Sequence, residues 1–172
     1  MPAISKTIFR RFINSFPIIV LFTLVFTGFD LSFFFFKYNF SFNFIYLLIF
    51  YWTLKKPIAL AYGLVFIAGI INDVVQNFPI GISSLNFLIL CAIAAFIRTR
   101  TILPSLFIDW ILFFIAILIV SSINYSILSL IFEIPIKYGN IMISSFITFL
   151  VYPIFSKMFE GIYLLNLKQE DA

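Results

Sequence analysis

The sequence predicts an all-α integral membrane protein of about six transmembrane helices. Three observations carry that expectation. Hydrophobic residues make up 63% of the 172-residue chain, charged residues only 10%, and the mean hydropathy is +1.16. A soluble domain has about a quarter charged residues to cover its surface, so most of this chain must face lipid or other apolar helices. The apolar residues fall into runs near the length that spans a bilayer, about 20 residues with a range of roughly 17–25. The basic residues are distributed unevenly along the chain, as positive-inside topology requires.

The first expected span is 17–36, preceded by Lys6, Arg10 and Arg11. A basic start before an apolar run resembles a signal peptide. No small-x-small cleavage site follows, so it reads as an uncleaved first helix. The second span is expected over 40–54, the third over 58–75 and the fourth over 82–97. Pro17, Pro57 and Pro104 are expected at helix starts, where a missing N–H costs nothing. Asn39, Ser41 and Asn140 are candidate N-caps. Asn77, Pro79 and Gly81 form a tight turn between the third and fourth segments. The fifth span is expected over 104–123, and the last over 141–157 with a kink at Pro153. Ser121, Ser122 and Asn124 interrupt a long apolar run. Either the chain breaks there, leaving 125–132 along the membrane interface, or a single tilted helix continues through. All of this reads as one polytopic domain over 1–172, without a large soluble part.

Counting Lys and Arg orients the chain. With the N-terminus inside, Lys6, Arg10, Arg11, Lys55, Lys56, Arg98, Arg100, Lys157 and Lys168 are cytoplasmic. Only Lys37 and Lys137 are external, and these nine and two account for all 11 basic residues. Both termini are therefore expected in the cytoplasm. The short juxtamembrane clusters suit lipid headgroups and do not form a nucleic-acid surface.

Catalytic candidates are few. The chain has no histidine and one cysteine, Cys91. That excludes a Ser–His–Asp triad, a His-based zinc site, a His-ligated haem and an intrachain disulfide. The 26 Phe are explained as simply by an A+T-rich coding sequence as by function. No cofactor is implied. Of the carboxylates, Glu133, Glu160, Glu170 and Asp171 read as solvated, whereas Asp30, Asp73 and Asp109 fall within or near spans, where charge is costly. Asp109 is expected to pair with Arg98 and Arg100 near the inner interface, and Asp30 with Lys37 near the outer one. Asp73 lies near a helix C-terminus, where the dipole opposes it. It must be compensated, either by N–H groups of the following turn or by a cation from another helix or protein. Gly69, four residues earlier on the same face, permits close helix contact.

Gly69, Asp73, Pro79 and Gly81 together make a Gly-x-x-x-Asp element followed by a Pro-x-Gly turn. In this the sequence resembles the rod shape-determining protein MreD family, and length, spans and basic N-terminus match across nearly the whole chain. Asn72 and the Phe-rich helices are less typical of that family. The resemblance implies a non-catalytic component of the bacterial elongation machinery in the cytoplasmic (inner) membrane. Its partners would be an MreC-like protein and, indirectly, MreB, RodA and a class B penicillin-binding protein. Gly69, Asp73, Pro79 and Gly81 would form a partner-binding or structural motif. The resemblance also implies a fold similar to the substrate-binding subunits of energy-coupling-factor transporters. A vitamin or metal carrier is therefore the alternative reading, and an intramembrane enzyme is a third.

Overall fold

The computed structural model describes residues 2–28, 31–35, 38–56, 60–100, 105–133 and 138–170, with side chains described within 15–28, 42–56, 60–100, 105–133 and 138–161. Six helices and one hairpin occur in this order: α1 (Pro2–Thr27), β1 (Leu31–Phe35), β2 (Tyr38–Phe42), α2 (Phe44–Lys55), α3 (Tyr62–Gln76), α4 (Ile82–Arg100), α5 (Leu106–Leu130) and α6 (Tyr138–Glu170). Three of them, Ile82–Arg100, Leu106–Leu130 and Tyr138–Gly161 within α6, are long and apolar enough to cross a membrane. Ser15–Thr27, Phe44–Lys55 and Tyr62–Gln76 are apolar but shorter. At 1.5 Å per residue, the 12 residues of α2 reach about 18 Å, against a hydrocarbon core of about 30 Å.

The first two expected spans need correction. The first helix does not run to 36, and Pro17 lies inside it, not at its start. Gly28, at φ +56°, stops α1 in the left-handed conformation that glycine adopts without steric cost. Beyond it the chain forms an antiparallel hairpin that pairs Leu31 with Phe42 and Phe35 with Tyr38. Leu-Ser-Phe-Phe-Phe and Tyr-Asn-Phe-Ser-Phe are rich in strand-favouring aromatics, which hydropathy scores like any helical apolar run. Asn39 and Ser41 therefore lie in β2 and not at a helix start, and α2 starts at Phe44. The expected Asn140 cap lies within the first turn of α6.

The expected break at Ser121–Asn124 is also absent: α5 continues to Leu130 as a single helix. Its polar residues are used sideways. The Ser121 hydroxyl shares a 2.8 Å hydrogen bond with Ser145 of α6, so polarity marks an interhelical contact and not an end. Pro153 sits inside α6, which runs on through it.

At the centre is α2. Its residues from Leu47 to Leu54 are all buried, the pattern of a helix surrounded on every side. Helices α1, α4 and α6 pack on it. The Phe50 ring meets Phe113 of α5 and Tyr152 of α6, and Phe113 and Tyr152 stack at 4.6 Å. Trp110 stacks on Phe149 at 4.8 Å and donates its indole N–H to the Phe149 carbonyl at 2.8 Å. These aromatic contacts tie α5 to α6.

Candidate functional site

The Gly-x-x-x-Asp and Pro-x-Gly residues build the hairpin between α3 and α4. Helix α3 ends in a Schellman motif. Asn77 adopts the left-handed conformation (φ 56°, ψ 34°), Phe78 N–H donates to the Asp73 carbonyl at 2.9 Å, and Asn77 N–H donates to Val74 at 3.4 Å. Asparagine is one of the few non-glycine residues that takes this conformation readily. Gly81, at φ +105°, then turns the chain into α4.

Asp73 is fully buried. Its two carboxylate oxygens accept the backbone N–H groups of Gly81 at 2.7 Å and Ser83 at 2.9 Å. Those are orphan donors at the start of α4. The carboxylate that opposes the dipole of its own helix thus lies at the favourable, N-terminal end of the next one. A Cβ on Gly69 would collide with the Ser84 backbone, which marks the closest approach of the two helices. Around that point the Ser84 hydroxyl donates to the Phe66 carbonyl and the Asn72 amide donates to the Ser83 hydroxyl, each at 2.9 Å. Gly69 and Asp73 are therefore consumed in the α3–α4 contact, and neither presents a surface to a partner.

This hairpin walls a polar cavity of about 360 Å³ at one end of the bundle. Asn72 and Gln76 of α3 and Ser83 and Asn86 of α4 form one side. Ser121 and Asn124 of α5, Asn140 and Ser144 of α6, and Asn43 ahead of α2 complete the ring. Tyr46, Phe78 and Phe87 add aromatic wall. Among the described residues the lining holds no charged side chain. Asn86 is 2% exposed, and its side-chain oxygen has no hydrogen-bond partner among the described residues. A buried acceptor without a partner is costly, and this oxygen is closed to water where it lies, so a donor from outside reaches it only when the amide turns toward the recess. In the sequence Asn140 stands out only as a candidate cap and Ser121 and Asn124 only as an interruption, while Asn43, Asn86, Ser83 and Ser144 carry no signal of a site. The lining residues are scattered over five segments of the chain, and only the fold brings them together.

The opposite end carries the charges. Lys55, the last residue of α2, meets Asp109 of α5 at 2.9 Å, and Asp109 is buried while Lys55 remains partly exposed. This corrects the expected partner. Arg98 and Arg100 are exposed at the end of α4, and Arg100 lies over the Phe96 ring at 5.4 Å. Ser105 caps α5 by accepting Ile108 N–H. Asp30 and Lys37, the other expected pair, lie outside the described residues. Among the described residues no group of His, Cys, Asp and Glu could hold a metal ion.

The fold and cavity define a helical bundle of membrane type with a neutral, amide-lined recess at one end and ion pairing at the other. Residues 10–162 match the family model of the rod shape-determining protein MreD, and the chain belongs to that family. No curated protein and no solved structure is significantly similar to it.

Proposed function

We propose that this chain is a non-catalytic component of the machinery that maintains rod shape. In this reading it lies in the cytoplasmic (inner) membrane with both termini inside, binds an MreC-like partner and supports lateral peptidoglycan synthesis. Through that partner it works alongside MreB, RodA and a class B penicillin-binding protein. The family match over residues 10–162 is the observation that carries the role in shape. It speaks for this reading and not for the vitamin or metal carrier. The orientation rests on the nine-to-two distribution of basic residues. Lys55, Arg98 and Arg100 stand at the helix ends opposite the cavity, so in this orientation the cavity faces the external side. Six crossings remain compatible with three short helices, because snorkelling flanks and local bilayer thinning accommodate mismatch.

Within lipid, helix association depends on close packing and a few polar contacts, since apolar surface gains little there. Gly69 and Asp73 serve that need inside the chain and so affect a partner only through the shape of the hairpin. The test is depletion in a rod-shaped host with complementation by variants. Depletion rounds the cells, the wild-type chain restores rods, and an MreC-like protein co-purifies with it. Cells that keep their shape on depletion but stop taking up a vitamin would replace this reading with the carrier.

A further inference from the structure

We propose that the cavity is a binding site for a neutral ligand rich in hydroxyl and amide groups, of the size of an N-acetylated sugar ring. Charge comes first: five asparagines and a glutamine line the recess, with no charged side chain among the described lining residues. The lining thus offers no ionic contact to an anion or cation, and the Asp73 carboxylate behind the wall is already taken by the N–H groups of Gly81 and Ser83. Primary amides both donate and accept, which matches vicinal hydroxyls and acetamido groups, whose own hydrogen bonds run both ways. The second observation is Asn86, whose buried side-chain oxygen has no partner among the described residues. A turn of this amide about its side chain would bring that oxygen to the recess and to an O–H or N–H donor.

Shape adds to this. The recess is ringed by α2 to α6. One turn deeper on α4 and α5, Leu90 and Ile117 are fully buried in the core, so the inner end is closed. A closed end receives a compact group end-on, whereas an extended peptide needs a groove that lets both its ends out. The volume of about 360 Å³ lies at the small end of ligand pockets. Tyr46, partly exposed and braced edge to face on the buried Phe87 at 5.9 Å, offers apolar surface to the C–H face of a ring.

The experiment is saturation-transfer NMR on the full chain in nanodiscs, with N-acetylglucosamine as the probe. Transfer to ring and acetamido protons is expected, above that to glucuronate and above that in protein-free nanodiscs. Asn86→Leu should weaken binding by about fivefold or more, the loss of one neutral hydrogen bond. Asn124→Leu, on a different helix, should do likewise and covers the case in which the first variant does not fold. The same sugar on an octyl chain distinguishes sources. Tightening of roughly tenfold or more, as buried methylenes would give, identifies a membrane-borne ligand, and equal binding identifies a free one. No transfer above background, or transfer unchanged in both variants, overturns the proposal. Saturation by a glycine–serine tetrapeptide in place of the sugar also overturns it, in favour of a peptide segment. None of these outcomes bears on the role in shape, which cell morphology tests separately.

Discussion

Replacing Asp73 by asparagine tests the α3–α4 connection at its most loaded point. The native carboxylate accepts two backbone N–H groups, at 2.7 and 2.9 Å. Hydrogen bonds to a charged group contribute about 1.5–3 kcal/mol each. An asparagine keeps one acceptor oxygen and turns an NH2 toward the other N–H, so one bond is lost and two donors face each other. The attraction of the charge to the N-terminus of α4 also disappears, about 0.3–1 kcal/mol and up to roughly 2 when partly buried. Against this, asparagine avoids the cost of keeping a carboxylate out of water. The net expectation is a destabilisation of about 2–4 kcal/mol. For a soluble chain of this length that corresponds to a fall in Tm of roughly 5–15 °C, to be read by thermal denaturation in detergent followed by gel filtration. Asp109→Asn should cost less, about 1 kcal/mol, because its partner Lys55 is 23% exposed and can turn to water. If Asp73→Asn melts with the wild type while Asp109→Asn melts lower, the capping role assigned to Asp73 is wrong.

Gly69→Ala should separate α3 from α4 and abolish complementation of cell shape. Adding Ser84→Gly should not rescue it, because the collision is with backbone atoms; rescue would show that only side chains meet there. Gly81→Ala should cost about 1–3 kcal/mol through backbone strain alone, since nothing lies within 4 Å of the added Cβ. In a double-mutant cycle, Lys55→Met and Asp109→Asn should couple by about 0.5–1 kcal/mol. Arg98→Gln and Asp109→Asn should add independently, and coupling there would restore the arginine as the partner. Reporter fusions at Asn77 should read as external and near Lys55 as internal, and an external reading at Lys55 would reverse the topology.

The helical class was legible because hydropathy is a sum over many residues and survives local error. The end of α3 and the start of α4 were legible for a different reason: Asn77, Pro79 and Gly81 are residue types with specific backbone demands. Asp73 was legible in outline, since a carboxylate at a helix C-terminus requires compensation. The N–H groups that compensate it lie eight and ten residues on, within reach of local reasoning. The hairpin at Leu31–Phe42 was not legible, because phenylalanine counts equally toward an apolar helix and an aromatic-rich strand. Ser121–Asn124 stayed open between a break and a continuing helix because polarity inside an apolar run looks the same whether the chain breaks or a neighbouring helix answers it. Lys55 was missed as the partner of Asp109 for a geometric reason. Arg98 and Arg100 are nearer in sequence, but α2 lies at the centre of the bundle and delivers its last residue to the first turn of α5.

The capping arrangement has a consequence for the cavity. A helix whose start is buried, as that of α4 is at Ile82, Ser83 and Ser84, must satisfy its first N–H groups internally, since a buried donor left bare costs about 1–3 kcal/mol. The usual solution is a Ser, Thr, Asp or Asn at the N-cap, yet the residue preceding α4 is Gly81, which has no side chain. The cap comes instead from Asp73, across the turn. With Ser83 N–H held by that carboxylate, the Ser83 hydroxyl is available to accept from the Asn72 amide. Both residues then face the recess together with Asn86, one turn further along. One buried aspartate thus helps close one helix through its backbone carbonyl, and through its carboxylate it caps the next beside the polar side chains of the wall. This accounts for an Asp beside an Asn in an otherwise apolar helix. It also implies that changes at Asp73 disturb the cavity wall through Ser83 and Asn72.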